Sequence, residues 1–156
     1  MFQLLDFFGK QKVRLRTSIT KPYHWRINQL DHLERMLTEN KHAFCNAISD
    51  DFSGPSIAPA CDISAPIAII EFTRCQLREW VAPSDYKITS TPEPAALSLG
   101  NGFFSGSLTL LFNPIIRSIS SGNPVMLKAD HDTPATNAIL DLLLPRYFEP
   151  SDFSIK

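Results

Sequence analysis

"SSGNPVMLKADHDTPAT", Ser120 to Thr136, is the stretch on which the fold turns. A Gly-Asn pair marks a turn, the four residues Pro124 to Leu127 read as a short buried strand, and a polar loop follows. Thr133 and Pro134 suit the N-cap and first position of a helix. A threonine side chain accepts from the first free N–H groups, and proline has no N–H to leave unpaired. Lys128 therefore stands at the carboxyl end of a strand. In an open α/β sheet that is the edge where ligands collect.

Upstream of the turn, Ser107 is placed to cap a helix whose apolar side is Leu108, Leu111, Ile115 and Ile119, and Gly122 to end it as the C′ residue. Before that helix, "AALSL", Ala95 to Leu99, reads as a strand, joined to it by the glycine-rich "GNGFFSG". Downstream, a helix through Ile139, Leu142, Leu143 and Tyr147 stops at Pro150, and "DFSIK" begins another strand. Strand, helix, strand, helix, strand predicts a parallel sheet built from right-handed βαβ units.

The residues before Pro83 are helical in pattern. Leu30, Leu33, Leu37, Phe44 and Ile48 predict one long amphipathic helix from Trp25 to Phe52, with Asp31 and Arg35 paired on a solvated face. Ile63, Ile67, Ile70, Leu77 and Val81 predict a second, with Pro66 in its first turn or kinking it. "APSDYKITSTPEP" is a polar connection. The expected class is α/β: a segment 1–20, a helical part 21–83, and an incomplete parallel Rossmann-like sheet over 84–156. Parallel sheets are normally covered on both faces and carry more strands, so the chain is expected to stop partway through a domain.

Composition excludes several classes. Of 156 residues, 44% are apolar and 20% charged, an ordinary globular balance. Fifteen basic against sixteen acidic side chains, net charge −1, leave no footprint for nucleic acid. No run approaches the ~20 apolar residues of a membrane span. "MFQLLDFFGKQKVRLR" is broken by Asp6 and lacks the basic start and cleavage site of a signal peptide. Cys45, Cys61 and Cys75 are odd in number without metal-ligand spacing, and are expected to be buried small hydrophobes in a soluble, cytoplasmic protein.

Two chemistries suit the glycine-rich turn. Gly100, Gly102 and Gly106, with Asp130 after the next strand, follow the plan of a dinucleotide fingerprint, in which glycines admit a pyrophosphate and an acid takes ribose hydroxyls. The third glycine comes one residue late and Phe103 and Phe104 fill the turn, so an ordinary βα loop is the other reading.

"NPIIRSISSGNPVMLKADHDTPATNAILDLLLPRYFEPSDFSI" resembles the aldehyde dehydrogenase segment P-L-I-G-A-I-A-A-G-N-x-V-x-x-K-P-S-E with its following P-A-T and leucine-leucine-proline run. "WRINQLDHLERMLTENKHAFCNAISDDF" is similar to that family's N-terminal helix, most closely in the coniferyl and fatty aldehyde dehydrogenase branch. "PEPAALSL" resembles the segment that opens its cofactor domain. The likeness runs from about Trp25 to Ile155. It implies an NAD or NADP cofactor, with the Lys128 ammonium, a three-proton donor, hydrogen-bonding the ribose of the adenosine half. A lysine snorkelling into solvent is the alternative.

The departures bear on activity. The family's P-W-N turn falls on Phe103, Phe104 and Ser105, so Ser105 occupies the position of the asparagine that stabilises the oxyanion; losing such a donor costs ~2.7 to 4 kcal/mol. Lys-Pro-Ser-Glu reads Lys128, Ala129, Asp130, His131, so His131 replaces the ribose-binding glutamate and would suit a 2′-phosphate better, unless it is simply solvated. The resemblance places the nucleophilic cysteine and the glutamate base beyond the last residue of this chain, and none of its three cysteines stands in for the nucleophile. The expectation is a homologue of NAD(P)-dependent aldehyde dehydrogenases, an N-terminal fragment or degenerate form inactive alone. The competing expectation is a non-catalytic nucleotide-binding or protein-interaction module that self-associates through an exposed sheet edge.

Overall fold

A computed structural model of the chain describes residues 9, 11–13, 16–52, 62–82 and 108–155, and the backbone of 95–98. The elements are helices α1 (Tyr23–Glu39), α2 (Lys41–Asp51) and α3 (Ser64–Trp80), strand β1 (Ala95–Ser98), helix α4 (Leu108–Ser120), strand β2 (Val125–Lys128), helix α5 (Pro134–Tyr147) and strand β3 (Phe153–Ile155). The strands form one parallel sheet in the order β1-β2-β3, with Ala95 opposite Val125, Ser98 opposite Lys128, and Val125 opposite Phe153. The α/β class expected from the sequence is the class observed. The strand after the turn starts at Val125, one residue later than its pattern suggested, because Pro124 has no N–H to enter the ladder. Lys128 is thus the last residue of the central strand.

Two crossovers that step in the same direction with the same hand lie on one face of a sheet. Accordingly α4 packs on β1 and β2, α5 packs on β3, and both pack against α1. The apolar side of α4 (Leu108, Phe112, Ile115, Ile116, Ile119) joins Leu30, Leu33, Met36 and Leu37 of α1, Phe44 of α2, Ile70 and Leu77 of α3, and Leu140 and Leu143 of α5 in a single core. Phe44 and Phe112 meet edge to face at 5.6 Å.

The single helix expected from Trp25 to Phe52 is two helices. Asn40 breaks it: its backbone sits at φ −116°, ψ 21°, and its side-chain amide donates to the Met36 carbonyl at 2.9 Å and to the Tyr147 hydroxyl at 2.9 Å. An asparagine that bonds a carbonyl of the preceding turn competes with the backbone for it. Nor do Asp31 and Arg35 form the solvated pair expected of them. Asp31 and Glu34 instead hold Arg74 of α3, with Arg74 Nη2 at 3.1 Å from Asp31 Oδ1. Arg35 lies 3.7 Å from Glu39 and over the Tyr147 ring. Pro66 falls in the first turn of α3, where its missing N–H costs nothing. Neither described cysteine is buried as expected: Cys45 is half-buried and Cys75 is exposed, while Cys61 lies outside the described residues.

Several hydrogen bonds converge on the end of α4. Gly122 adopts φ +68° and donates its N–H to Ile119 O at 2.8 Å, while Asn123 N–H reaches Ser118 O at 3.0 Å. These are the two bonds of a Schellman cap, with Gly122 as the expected C′ residue. The N-terminal segment closes over this turn. Buried Thr20 donates its hydroxyl to Gly122 O at 2.7 Å, Arg26 Nη1 reaches Ser120 O at 2.8 Å, and Lys21 Nζ reaches Asn123 Oδ1 at 3.1 Å. Cations there also oppose the negative end of the α4 dipole. Burial and the neighbouring Arg26 charge hold the Lys21 ammonium below its ordinary pKa. Buried Gln11 donates to Val125 O at 3.0 Å.

A Cβ on Gly122 would lie 2.7 Å from the Thr20 carbonyl oxygen, whereas one on Gly9 would meet nothing within 4 Å. The left-handed backbone alone costs a non-glycine residue about 1 to 3 kcal/mol. Gly122→Ala should therefore lower the stability measured by urea unfolding by about 2 kcal/mol or more, with Gly9→Ala as the near-neutral control.

Candidate functional site

Lys128 ends the central strand with its side chain exposed, and Ala129 immediately after it enters the wall of a cleft of about 350 Å³. Pro134, Asn137, Ala138 and Asp141 of α5 and Ile155 of β3 complete the lining. On α5 the spacing Pro134, Asn137/Ala138, Asp141 puts these residues on one side of the first two turns, next to the carboxyl end of β3. The cleft therefore sits at the carboxyl edge of the sheet, as the strand reading required.

The loop between β2 and α5 is fastened to the helix it precedes. Asp130 N–H donates to Asn137 Oδ1 at 3.4 Å, and Asn137 Nδ2 donates back to the Asp130 carbonyl. Asp132 N–H donates to Asp130 Oδ1 at 3.2 Å, a turn closed by its own aspartate. His131 stands between two carboxylates, with Nδ1 at 3.2 Å from Asp130 Oδ1 and Nε2 at 3.0 Å from Asp132 Oδ1. Its side chain is 84% exposed, while that of Asp130 is 10% exposed.

The N-terminus of α5 is a natural anion site, and the chain fills it itself. Thr133 is the N-cap and Pro134 the first helical residue, as expected, yet Thr133 makes no side-chain cap bond at φ −129°, ψ 56°. Asp51, the last residue of α2, takes that role. Its Oδ1 accepts from Ala135 N–H at 2.8 Å and its Oδ2 from Thr136 N–H at 2.7 Å. A carboxylate at a helix N-terminus satisfies orphan donors and the positive dipole end together. No phosphate can bind those two N–H groups while Asp51 holds them.

The structure thus brings Lys128, Asp130 and His131 to one edge of the sheet. Gly100, Gly102, Gly106, Phe103, Phe104, Ser105 and Ser107 lie outside the described residues. Sequence reading missed Asn137 and Asp141, whose helical spacing from Pro134 was the available signal. It missed Asp51 too, which no local pattern links to a helix starting some eighty residues later. Among the described residues, the carboxylates of Asp130, Asp132 and Asp141 and the ammonium of Lys128 stand at this edge. Among the described residues no helix is long and apolar enough to cross a membrane.

No family model matches the chain. It is similar to the chloroplastic aldehyde dehydrogenase family 3 member I1 of Arabidopsis thaliana, 30% identical over an alignment of 165 positions, gaps included, that spans 94% of this chain and 30% of that protein. It is also 29% identical over 138 residues to the coniferyl aldehyde dehydrogenase of a Pseudomonas species, covering 83% of this chain and 29% of that protein. The chain spans about 30% of the length of these curated relatives. Among solved structures, a substrate-bound AldH of Staphylococcus aureus superposes with a TM-score of 0.80 over 98% of this chain and 36% of that one, at 20% sequence identity. That likeness carries the fold.

Asp51→Ala should lower the unfolding free energy by about 1 to 2 kcal/mol, since two helix N–H groups lose their acceptor, and Asp51→Asn should recover part of the loss. Urea unfolding of the three proteins measures it.

Proposed function

We propose that this chain, a relative of the aldehyde dehydrogenases along nearly its whole length, supplies the adenosine-binding half of a nicotinamide-dinucleotide site and not the aldehyde chemistry. The observation that carries this reading is the cleft at the carboxyl edge of the sheet, entered by Ala129 directly after Lys128. Its volume falls within the range of small-ligand pockets. Ala129, Pro134, Ala138 and Ile155 offer apolar contact to a nucleoside, and Lys128 donates to ribose hydroxyls. Asp130 and Asp132 offer acceptors to the same diol.

The charge at this edge supports NAD over NADP. His131 would suit a 2′-phosphate by itself, but it stands between two carboxylates that would repel the dianion. With Asp51 on the N-terminus of α5, the pyrophosphate finds its donors elsewhere. Aldehyde oxidation needs a thiolate to attack the carbonyl and a base to activate water. Neither Cys45 nor Cys75 lines the cleft, and they lie on α2 and α3. A cytoplasmic location is part of this proposal. A second reading, association through the sheet edge, is favoured by β3, which pairs with β2 alone among the described strands.

A thermal-shift titration tests the cofactor reading. A ligand at a hundred times its dissociation constant stabilises the folded chain by ~2.7 kcal/mol, a shift of several degrees in a domain of this size. NAD should give the larger shift, Lys128→Ala should abolish it, and Asp132→Asn should narrow the gap between NAD and NADP. No shift with either nucleotide overturns the proposal. The purified chain should also form no more NADH from an aldehyde than a heat-denatured control, and NADH above that control would show chemistry that this reading denies.

A further inference from the structure

Among the described residues, the cleft beside Lys128 is lined by one polar side chain without a partner. Ala129, Pro134, Ala138 and Ile155 line it with carbon, and the Asn137 amide is engaged by the Asp130 loop, accepting from Asp130 N–H at 3.4 Å and donating to the Asp130 carbonyl. Asp141 is the remaining lining residue. It is exposed, and its carboxylate makes no hydrogen bond or ion pair among the described residues. Its neighbours one turn away on α5, Asn137, Ala138, Leu144 and Pro145, carry no charge to pair with it. An ionised carboxylate has acceptors and no donor, so a ligand that reaches it must bring an N–H or an O–H.

Asp141 lies two turns along α5 from Pro134, a rise of about 10 Å. With the ribose at Lys128, as proposed above, the base runs along α5 toward Asp141. An adenosine measured from its ribose diol to its exocyclic amine is of comparable length. Resting on that cofactor reading, we propose that Asp141 selects the base: its carboxylate accepts a hydrogen bond from the exocyclic amine of adenine, while Pro134, Ala138 and Ile155 take the ring. The same chemistry rejects other purines. Hypoxanthine and guanine carry a carbonyl oxygen at that position, which would face a carboxylate with no proton to share. Exchanging a donor for an acceptor costs more than the lost bond, because the carboxylate then gives up water for a group that repels it. Asp141 is thus a specificity-determining residue and touches no reacting atom.

Isothermal titration of the 156-residue chain with NAD and with its hypoxanthine analogue tests this. The same two titrations are run on Asp141→Asn, whose amide both accepts and donates and so suits either base. The unmodified chain should bind NAD about tenfold or more tighter than the analogue, and Asp141→Asn should bind the two within about twofold of each other. Asp141 is exposed, so the substitution leaves the core untouched, and circular dichroism checks that the variant folds. Equal binding of the two nucleotides by the unmodified chain, or tighter binding of the analogue, overturns the proposal and leaves the cofactor site standing. A preference for NAD that persists in Asp141→Asn overturns it as well, since another group then reads the base. Binding of neither nucleotide removes both this proposal and the cofactor site on which it rests.

Discussion

Gly122 carries the chain from α4 into β2 through a left-handed backbone, with no room for a side chain against Thr20. The rest of the structure depends on this turn. It closes α4 with two cap bonds, and it starts the central strand at Val125, which sets the side on which every later residue of that strand falls. Val125 and Leu127 turn inward, and Lys128 emerges at the edge. A slip of one residue would exchange the two sets. The N-terminal segment guards against it by placing Thr20, Lys21 and Arg26 on the carbonyls and the asparagine of the turn, and Gln11 on Val125.

The opposite edge of the sheet is organised by polar groups, again drawn from distant parts of the chain. Asp51 reaches from the end of α2 to the first turn of α5, and Asn137 ties the Asp130 loop back onto that helix. Two constraints on ligand chemistry result. The two N–H groups of α5 that Asp51 holds are closed to phosphate, and among the described residues the loop beside Lys128 carries the carboxylates of Asp130 and Asp132. On the proposed reading, a ribose diol would donate to aspartate and accept from lysine at that edge.

Helix α1 connects the two edges. It packs on α3, α4 and α5, and its Leu30, Leu33, Met36 and Leu37 are fully buried. Its outer residues are used as well: Asp31 and Glu34 grip Arg74, and Glu39 takes the Tyr147 hydroxyl, which raises the Tyr147 pKa. Partly exposed pairs of this kind add little stability each. Their effect is to fix how α3 and α5 lie against α1, and so where the cleft faces.

Local pattern by itself determined a good deal. Apolar spacing and the Gly-Asn, Thr-Pro and Pro150 signals located α4, β2, α5 and β3 to within a residue or so, because turn chemistry and hydrophobic period act over a few neighbours. They also put Lys128 at a strand's carboxyl end. Resemblance pointed to the aldehyde dehydrogenases, and the relatives found agree. Tertiary structure decided the partners. The break at Asn40 depends on Tyr147, the cap of α5 on Asp51, and the fate of Asp31 on Arg74, each more than forty residues away or held on another helix. Hydrogen bonds and ion pairs have no period along the chain, so only the packed core, by bringing α1, α2, α3 and α5 together, could choose them.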